Sequence, residues 1–146
     1  MSTNKANDEA QIRKMLDDWA MKFRAKDLDG IMSIYSPDIV SFDAIAQLQF
    51  KGADTYRKHW EMCLSFCQGP ITFEVRDLNI TVGDGVAFTH ALNRCGGTDE
   101  NGEEKASWMR ATICLRKIDG SWKVAHEHYS APFDMESGKA LFDLVP

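Results

Sequence analysis

Three glycine-centred turn signals, Gly83-Asp84-Gly85, Asn101-Gly102 and Asp119-Gly120, cut the second half of the chain into four segments. Such dipeptides supply the positive φ of tight hairpin turns, so the four segments are expected to form an antiparallel meander. The first segment is out of phase with itself. Ile71, Phe73 and Val75 alternate at odd positions, and Leu78, Ile80 and Val82 continue at even ones. That slip at Arg76-Asp77 predicts a β-bulge, which would bend the sheet.

Helical periodicity fills the first half. Over residues 8–26, Ile12, Leu16, Trp19 and Phe23 recur at helical spacing against Arg13, Asp17, Asp18 and Lys22. Asp8 and Glu9 suit the first turn of that helix, and Arg24 and Lys26 the last. Asp27 is placed to cap a short second helix, Leu28–Tyr35, stopped by Pro37. A strand at 39–43 follows, then a loop to Lys51-Gly52. A third helix, 53–67, carries Tyr56, Trp60 and Leu64 and ends at Gly69-Pro70. Helices first and a meander afterwards make an α+β domain, with three N-terminal helices packed on one face of a curved antiparallel sheet. Residues 1–146 read as a single domain, with 1–7 a disordered arm. The tail, 133–146, bears Phe133, Leu141, Phe142 and Leu144 and is expected to dock on the domain or on a partner.

Charge and composition exclude several classes. A chain of 146 residues, 44% hydrophobic, builds a core, and no apolar run is long enough for a bilayer. The net charge of −5, without a basic stripe, argues against nucleic acid or anionic membrane as partner. A polar N-terminus without an apolar signal core leads us to expect a cytoplasmic protein. Cys63, Cys67, Cys95 and Cys114 have neither C-x-x-C nor zinc-ribbon spacing, so free, packed thiols are expected and no metal site or cofactor.

The stretch DWAMKFRAKDLDGIMSIYSPDIVSFDA (18–44) resembles the first two helices and first strand of the ketosteroid isomerases, most strongly at Asp27-Leu28-Asp29-Gly30-Ile31. Those enzymes belong to the nuclear-transport-factor-2-like, or SnoaL-like, superfamily. The far end, Asp119-Gly120-Ser121-Trp122 with HEHYSAP, resembles the association domain of calcium/calmodulin-dependent kinase. The resemblance implies a cone: a curved sheet wrapped on the long helix around one apolar pocket. It places Asp43 where the isomerases keep their general base, a role that suits a desolvated carboxylate. Trp19 occupies the position of the isomerase tyrosine, and the second oxyanion donor falls near Ile113 or Cys114. The oxyanion hole of a steroid isomerase is therefore missing. Trp19, Tyr56, Trp60, Ile113 and Tyr129 are the ligand-binding candidates, pocket wall and core being one surface in a cone.

The last strand raises its own question, because His126 and His128 share a face. Trp122, Val124, His126 and His128 form one set, and Ala125, Glu127 and Tyr129 the other. Alignment with the two relatives sends the second set inward. His126 would then lie with Trp108, Arg110 and Trp122 on the outer face, at a dimer interface. Packing is the preferred reading of the two histidines, with acid–base chemistry through His128 and a metal half-site left open. An inward Glu127 would sit opposite Asp43, and buried carboxylates share a proton. Two functions are carried forward. One is a homodimer whose cone binds a small apolar or aromatic metabolite, with Asp43 catalysing cofactor-independent proton transfer such as isomerisation, dehydration or cyclisation. The other is a non-catalytic ligand-binding or oligomerisation module, since the fold hosts both.

Overall fold

In a computed structural model, which describes residues 2–146, three helices and six strands follow the order α1 (Ser2–Arg24), α2 (Leu28–Met32), β1 (Tyr35–Phe42), β2 (Phe50–Lys51), α3 (Ala53–Phe66), β3 (Ile71–Val82), β4 (Val86–Thr98), β5 (Glu104–Ile118) and β6 (Ser121–Ser130). The expected arm at 1–7 gives way to helix from Ser2 onward, and Met1 lies outside the described residues. No helix among the described residues is long and apolar enough to cross a membrane.

The turn between α1 and α2 is fixed by backbone chemistry. Lys26 takes a left-handed φ of 56°. Its N–H reaches the Phe23 carbonyl, and the Asp27 N–H reaches that of Lys22. This crossed pair caps the last carbonyls of α1 without a glycine. Asp27 then caps α2 as expected, its Oδ1 accepting from the Gly30 N–H at 3.0 Å. Helix α2 stops at Met32 rather than Tyr35, and Pro37 lies inside β1 instead of beyond a helix.

The six strands form one curved, open sheet in the order β2-β1-β6-β5-β4-β3. The meander β3–β6 is antiparallel throughout, and β3 slips register between Arg76 and Asn79, with Asp77 at a φ of 58°. The predicted bulge is therefore present. The sheet departs from the expected all-antiparallel form at one place: β1 runs parallel to β6, pairing Ser41 with Glu127 and Phe42 with His128. The chain reaches that pairing by crossing over through α3 and the whole meander.

A second bulge lies in β6. Cys114 pairs with His126 but Leu115 with Val124, so Ala125 is the extra residue. Trp122 and Val124 are buried before the bulge, and Glu127 is buried after it. Strict alternation would put Trp122 and Glu127 on opposite faces. The expectation of Trp122 on the outer face is thus corrected: it belongs to the core, and its indole N–H donates to Asp8 of α1 at 3.1 Å. Trp108, Arg110, His126 and His128 do share the outer face, through the register pairs Arg110–Ser130, Thr112–His128 and Cys114–His126.

The concave face packs on α1 and α3 around four aromatic rings. Trp19, Phe23, Trp60 and Phe73 meet largely edge to face with centroids 5.2–5.9 Å apart. That geometry adds about 0.5–1.5 kcal/mol per pair beyond the area buried.

Two glycines separate steric from conformational necessity. A Cβ at Gly96 would fall 1.9 Å from the Lys105 carbonyl oxygen and 2.6 Å from the Ala106 Cα, both backbone. A Cβ at Gly85 would meet nothing within 4 Å, although its φ is +72°. Gly96→Ala should therefore destabilise by more than about 2 kcal/mol, and Gly85→Ala by about 1 kcal/mol. Urea unfolding of the two variants against wild type checks the ranking, which fails if Gly85→Ala is the more damaging.

Candidate functional site

Strand β1 supplies the site by alternation. Ile39 and Ser41 point inward and are fully buried, and Asp43, just past the strand's end, continues on that face. Its side chain retains 14% exposure. The two oxygens of its carboxylate have different surroundings. Oδ1 accepts the Ile45 backbone N–H at 3.0 Å, the loop-amide bond common for Asp at a turn. Oδ2 faces the interior, 3.0 Å from the Tyr56 hydroxyl and 3.4 Å from His59 Nε2.

Tyr56 and His59 stand three residues apart on one face of α3. His59 was not singled out from the sequence, although its spacing from Tyr56 and Cys63 places all three on the same helical stripe. Its Nε2 also lies 3.5 Å from Cys63 Sγ. A nucleophilic triad needs its thiol and its carboxylate on opposite nitrogens of the imidazole. Here both meet the same one. Burial also pushes the Cys63 thiol up to about 11, so it is a neutral group and not an activated nucleophile. His59 instead braces Asp43.

Glu127 comes from β6 and is almost fully buried, at 1% exposure. Its Oε1 meets three hydroxyl oxygens, those of Tyr56 at 2.5 Å, Tyr35 at 3.1 Å and Ser41 at 3.4 Å. Burial raises its pKa from an ordinary 4.5 to about 7, Asp43 adding to the rise and the three hydroxyls opposing it. Tyr56 is pushed well above 10 by burial and by the Glu127 charge, and so remains a neutral phenol.

Two cavities flank this cluster. The front one, about 380 Å³, lies between α1, α3 and the sheet and is overwhelmingly apolar. Trp19, Trp60, Tyr129, Asn93 and Asp43 line it, with Cys63, Cys67 and Cys95 adding thiols. The rear one, about 580 Å³, separates α1 from β3–β5 and is more polar. Thr89, Asn93, Ile113, Glu127 and Tyr129 line it, as do the charged Arg13, Asp17, Arg24 and Glu74.

The ligand-binding candidates sort accordingly. Trp19, Trp60 and Tyr129 line the front cavity; Ile113 lines only the rear one. Tyr56 lines neither and is wholly buried, bridging the two carboxyl groups instead. Trp19 offers its ring alone, because its indole N–H donates to the Ile31 carbonyl at 3.1 Å. Two polar atoms of cavity-lining residues, Trp60 Nε1 and Asn93 Oδ1, are buried without a hydrogen-bond partner among the described residues.

On the outer face, His126 Nδ1 donates to the Val40 carbonyl at 2.6 Å, and its ring stands edge-on to Phe42 with centroids 4.6 Å apart. Phe42 meets His128 likewise at 5.6 Å. Arg110 donates to Ser130 Oγ, and Arg76 covers the Trp108 ring at 4.8 Å. His126, half-buried, and His128, exposed, thus lie on the outer sheet face and line neither cavity.

Glu127 is more acidic unfolded than folded, which fixes the sign of its linkage. Its contribution to stability is complete below about pH 4.5 and is lost as pH rises through about 7, about 3 kcal/mol in all. Glu127→Gln keeps a neutral polar group there and should flatten that arm of the profile. Urea unfolding across the range compares the two. Equal slopes would mean that Glu127 ionises normally in the folded chain.

The SnoaL-like domain model matches residues 12–134. No curated protein matches the chain. Among solved structures, an NTF2-like protein of unknown function from Pseudomonas putida KT2440 is 47% identical over 97% of this chain and 98% of its own, with a TM-score of 0.90. A candidate calcium/calmodulin-dependent protein kinase II association domain from Xanthomonas campestris shares the fold at 20% identity, covering 83% of this chain and 85% of its own, TM-score 0.73. So does a candidate scytalone dehydratase from Novosphingobium aromaticivorans, at 13% identity over 91% and 89%, TM-score 0.80. With helices on a curved sheet, an apolar cone and a family match over most of its length, the chain belongs to the SnoaL-like family of the nuclear-transport-factor-2-like superfamily.

Proposed function

We propose that this protein binds a compact, largely apolar or aromatic metabolite in its front cavity, and that Asp43 performs cofactor-independent proton transfer on it. The observation that carries this reading is a carboxylate braced by Ile45, Tyr56 and His59 on the wall of a cavity whose surface is predominantly apolar. A volume of about 380 Å³ falls in the range of small-molecule sites. Trp19, Trp60 and Tyr129 line that space and leave it open, which favours a ligand over a filled, purely structural cone. The unpartnered Trp60 Nε1 and Asn93 Oδ1 suit a ligand bearing an oxygen function, since buried polar atoms are otherwise satisfied. Isomerisation, dehydration and cyclisation all need a proton moved at such a ligand. A positioned base contributes about 10²–10⁴ to the rate.

A second reading concerns assembly. Phe42, Val86 and Phe88 are all more than a third exposed, and with Trp108 they lie on the outer sheet face. Exposed large apolar side chains gathered on one sheet face suit an interaction site. We place a homodimer interface there, of a cytoplasmic protein, compatible with a working cavity in each copy.

A thermal-shift screen of metabolites against wild type and Asp43→Asn separates the readings. A ligand at 100 times its dissociation constant stabilises by about 2.7 kcal/mol. Hits are expected that weaken or vanish in Asp43→Asn; hits indifferent to the change would leave the assembly reading alone. Light scattering on Phe42→Glu/Phe88→Glu should show the mass of a monomer where wild type shows a dimer. An unchanged mass would remove the outer face as the interface.

A further inference from the structure

Tyr56 holds one proton between two carboxyl groups. Its hydroxyl oxygen is 2.5 Å from Glu127 Oε1 and 3.0 Å from Asp43 Oδ2. A phenol donates to one of them only, so the other contact is a hydrogen bond only if that carboxyl group itself carries a proton. The surroundings decide which. Asp43 receives a backbone N–H from Ile45, faces His59 Nε2 and keeps some solvent. Glu127 is buried and meets only hydroxyls, from Tyr35 and Ser41 on β1 and Tyr56 on α3. Among ionisable groups, Tyr129 of its own strand and Asp43 are near it as well. Arg13, Asp17, Arg24 and Glu74 line the rear cavity with it. Negative charge is cheaper on Asp43, and the proton belongs on Glu127.

We propose that Asp43, Tyr56 and Glu127 share one proton, stored on Glu127 at rest and passed through Tyr56 to Asp43, so that the site acts as an acid toward a bound hydroxyl or carbonyl compound as well as a base. The proposal rests on Asp43 being the reacting group and extends that reading to the substrate class. Each transfer balances. The Glu127 proton moves to the Tyr56 oxygen as the Tyr56 proton moves to Asp43 Oδ2, leaving a Glu127 carboxylate, a neutral phenol and an Asp43 carboxylic acid. Asp43 then protonates the ligand's oxygen, which leaves as water or stays as a hydroxyl. The Asp43 carboxylate next takes a proton from the ligand's carbon, and the reverse relay returns it to Glu127. No net charge crosses the site. Glu127 lines the rear cavity and Asp43 the front one, so the two ends of the relay face different cavities.

The relay is readable without any ligand, so its failure is distinct from a failure of the Asp43 reading. Infrared spectra of the carbonyl stretch of protonated carboxylic acids, recorded across pH, should show a buried acid in wild type that persists to about neutral pH and is absent in Glu127→Gln. Asp43→Asn should lower its midpoint by about one pH unit by removing a like charge. In a Tyr56→Phe background that shift should shrink severalfold. An acid band missing in wild type near neutral pH, or unchanged in Glu127→Gln, overturns the proposal. A shift from Asp43→Asn undiminished in Tyr56→Phe overturns the relay as well, because the coupling would then be through space. Should the variants fail to fold, carbon-13 carboxyl titration of glutamate-labelled wild type still decides whether a glutamic acid stays protonated there.

Discussion

The three hydroxyl bonds to Glu127 hold together parts of the chain that are far apart in sequence. Tyr35 and Ser41 reach it from β1 and Tyr56 from α3, across separations of 92, 86 and 71 residues. A buried carboxyl group left unsatisfied is costly, so β6 cannot dock without β1 and α3 in place. The parallel β1–β6 pair, which has the longest connection in the sheet, is anchored by this bond set at its Ser41–Glu127 register point. The same group that joins these elements carries the most displaced carboxylate pKa, at about 7. Stability and proton chemistry therefore meet in one side chain.

The cavity owes its shape to a second constraint. Four aromatic rings from α1, α3 and β3 lock edge to face, and Trp19 is further tied by its N–H to α2. Rings so fixed line a cavity wall without collapsing into it, because collapse would forfeit both the ring contacts and the Trp19 hydrogen bond. Burial keeps the Cys63 and Cys95 thiols beside them neutral. The front cavity is consequently a largely apolar space with the braced Asp43 carboxylate on its wall, where electrostatic effects are stronger than in bulk water.

Much of this was legible in the sequence, and what was not has definite causes. Period and turn residues gave the meander, the bulge at Arg76-Asp77 and the Asp27 cap, while Asp43 was pointed to by the resemblance to the isomerases alone. Proline at 37 suggested a helix stop where it sits in a strand, since its fixed φ serves both. The parallel pairing of β1 left no local mark, being decided by hydrogen bonds to residues more than 80 positions away. Trp122 was misplaced because a two-residue period has no memory of an inserted residue. Tyr56 appeared as a pocket residue because aromatic spacing reports a buried face and not which atom the hydroxyl meets. The role of His59 was recoverable from its place on the Tyr56 stripe of α3, a signal present but not used.

The extra residue in β6 has a consequence for kinship. Without Ala125 out of register, the inner surface would continue from Trp122 and Val124 to His126 and His128, and the acid would face outward. One position of phase decides whether the cone contains a carboxyl or two imidazoles. Chains of this fold that differ by a single residue at this point of the last strand are therefore chemically different proteins, however similar their profiles. Comparison among them is meaningful only after the phase of that strand has been established in each.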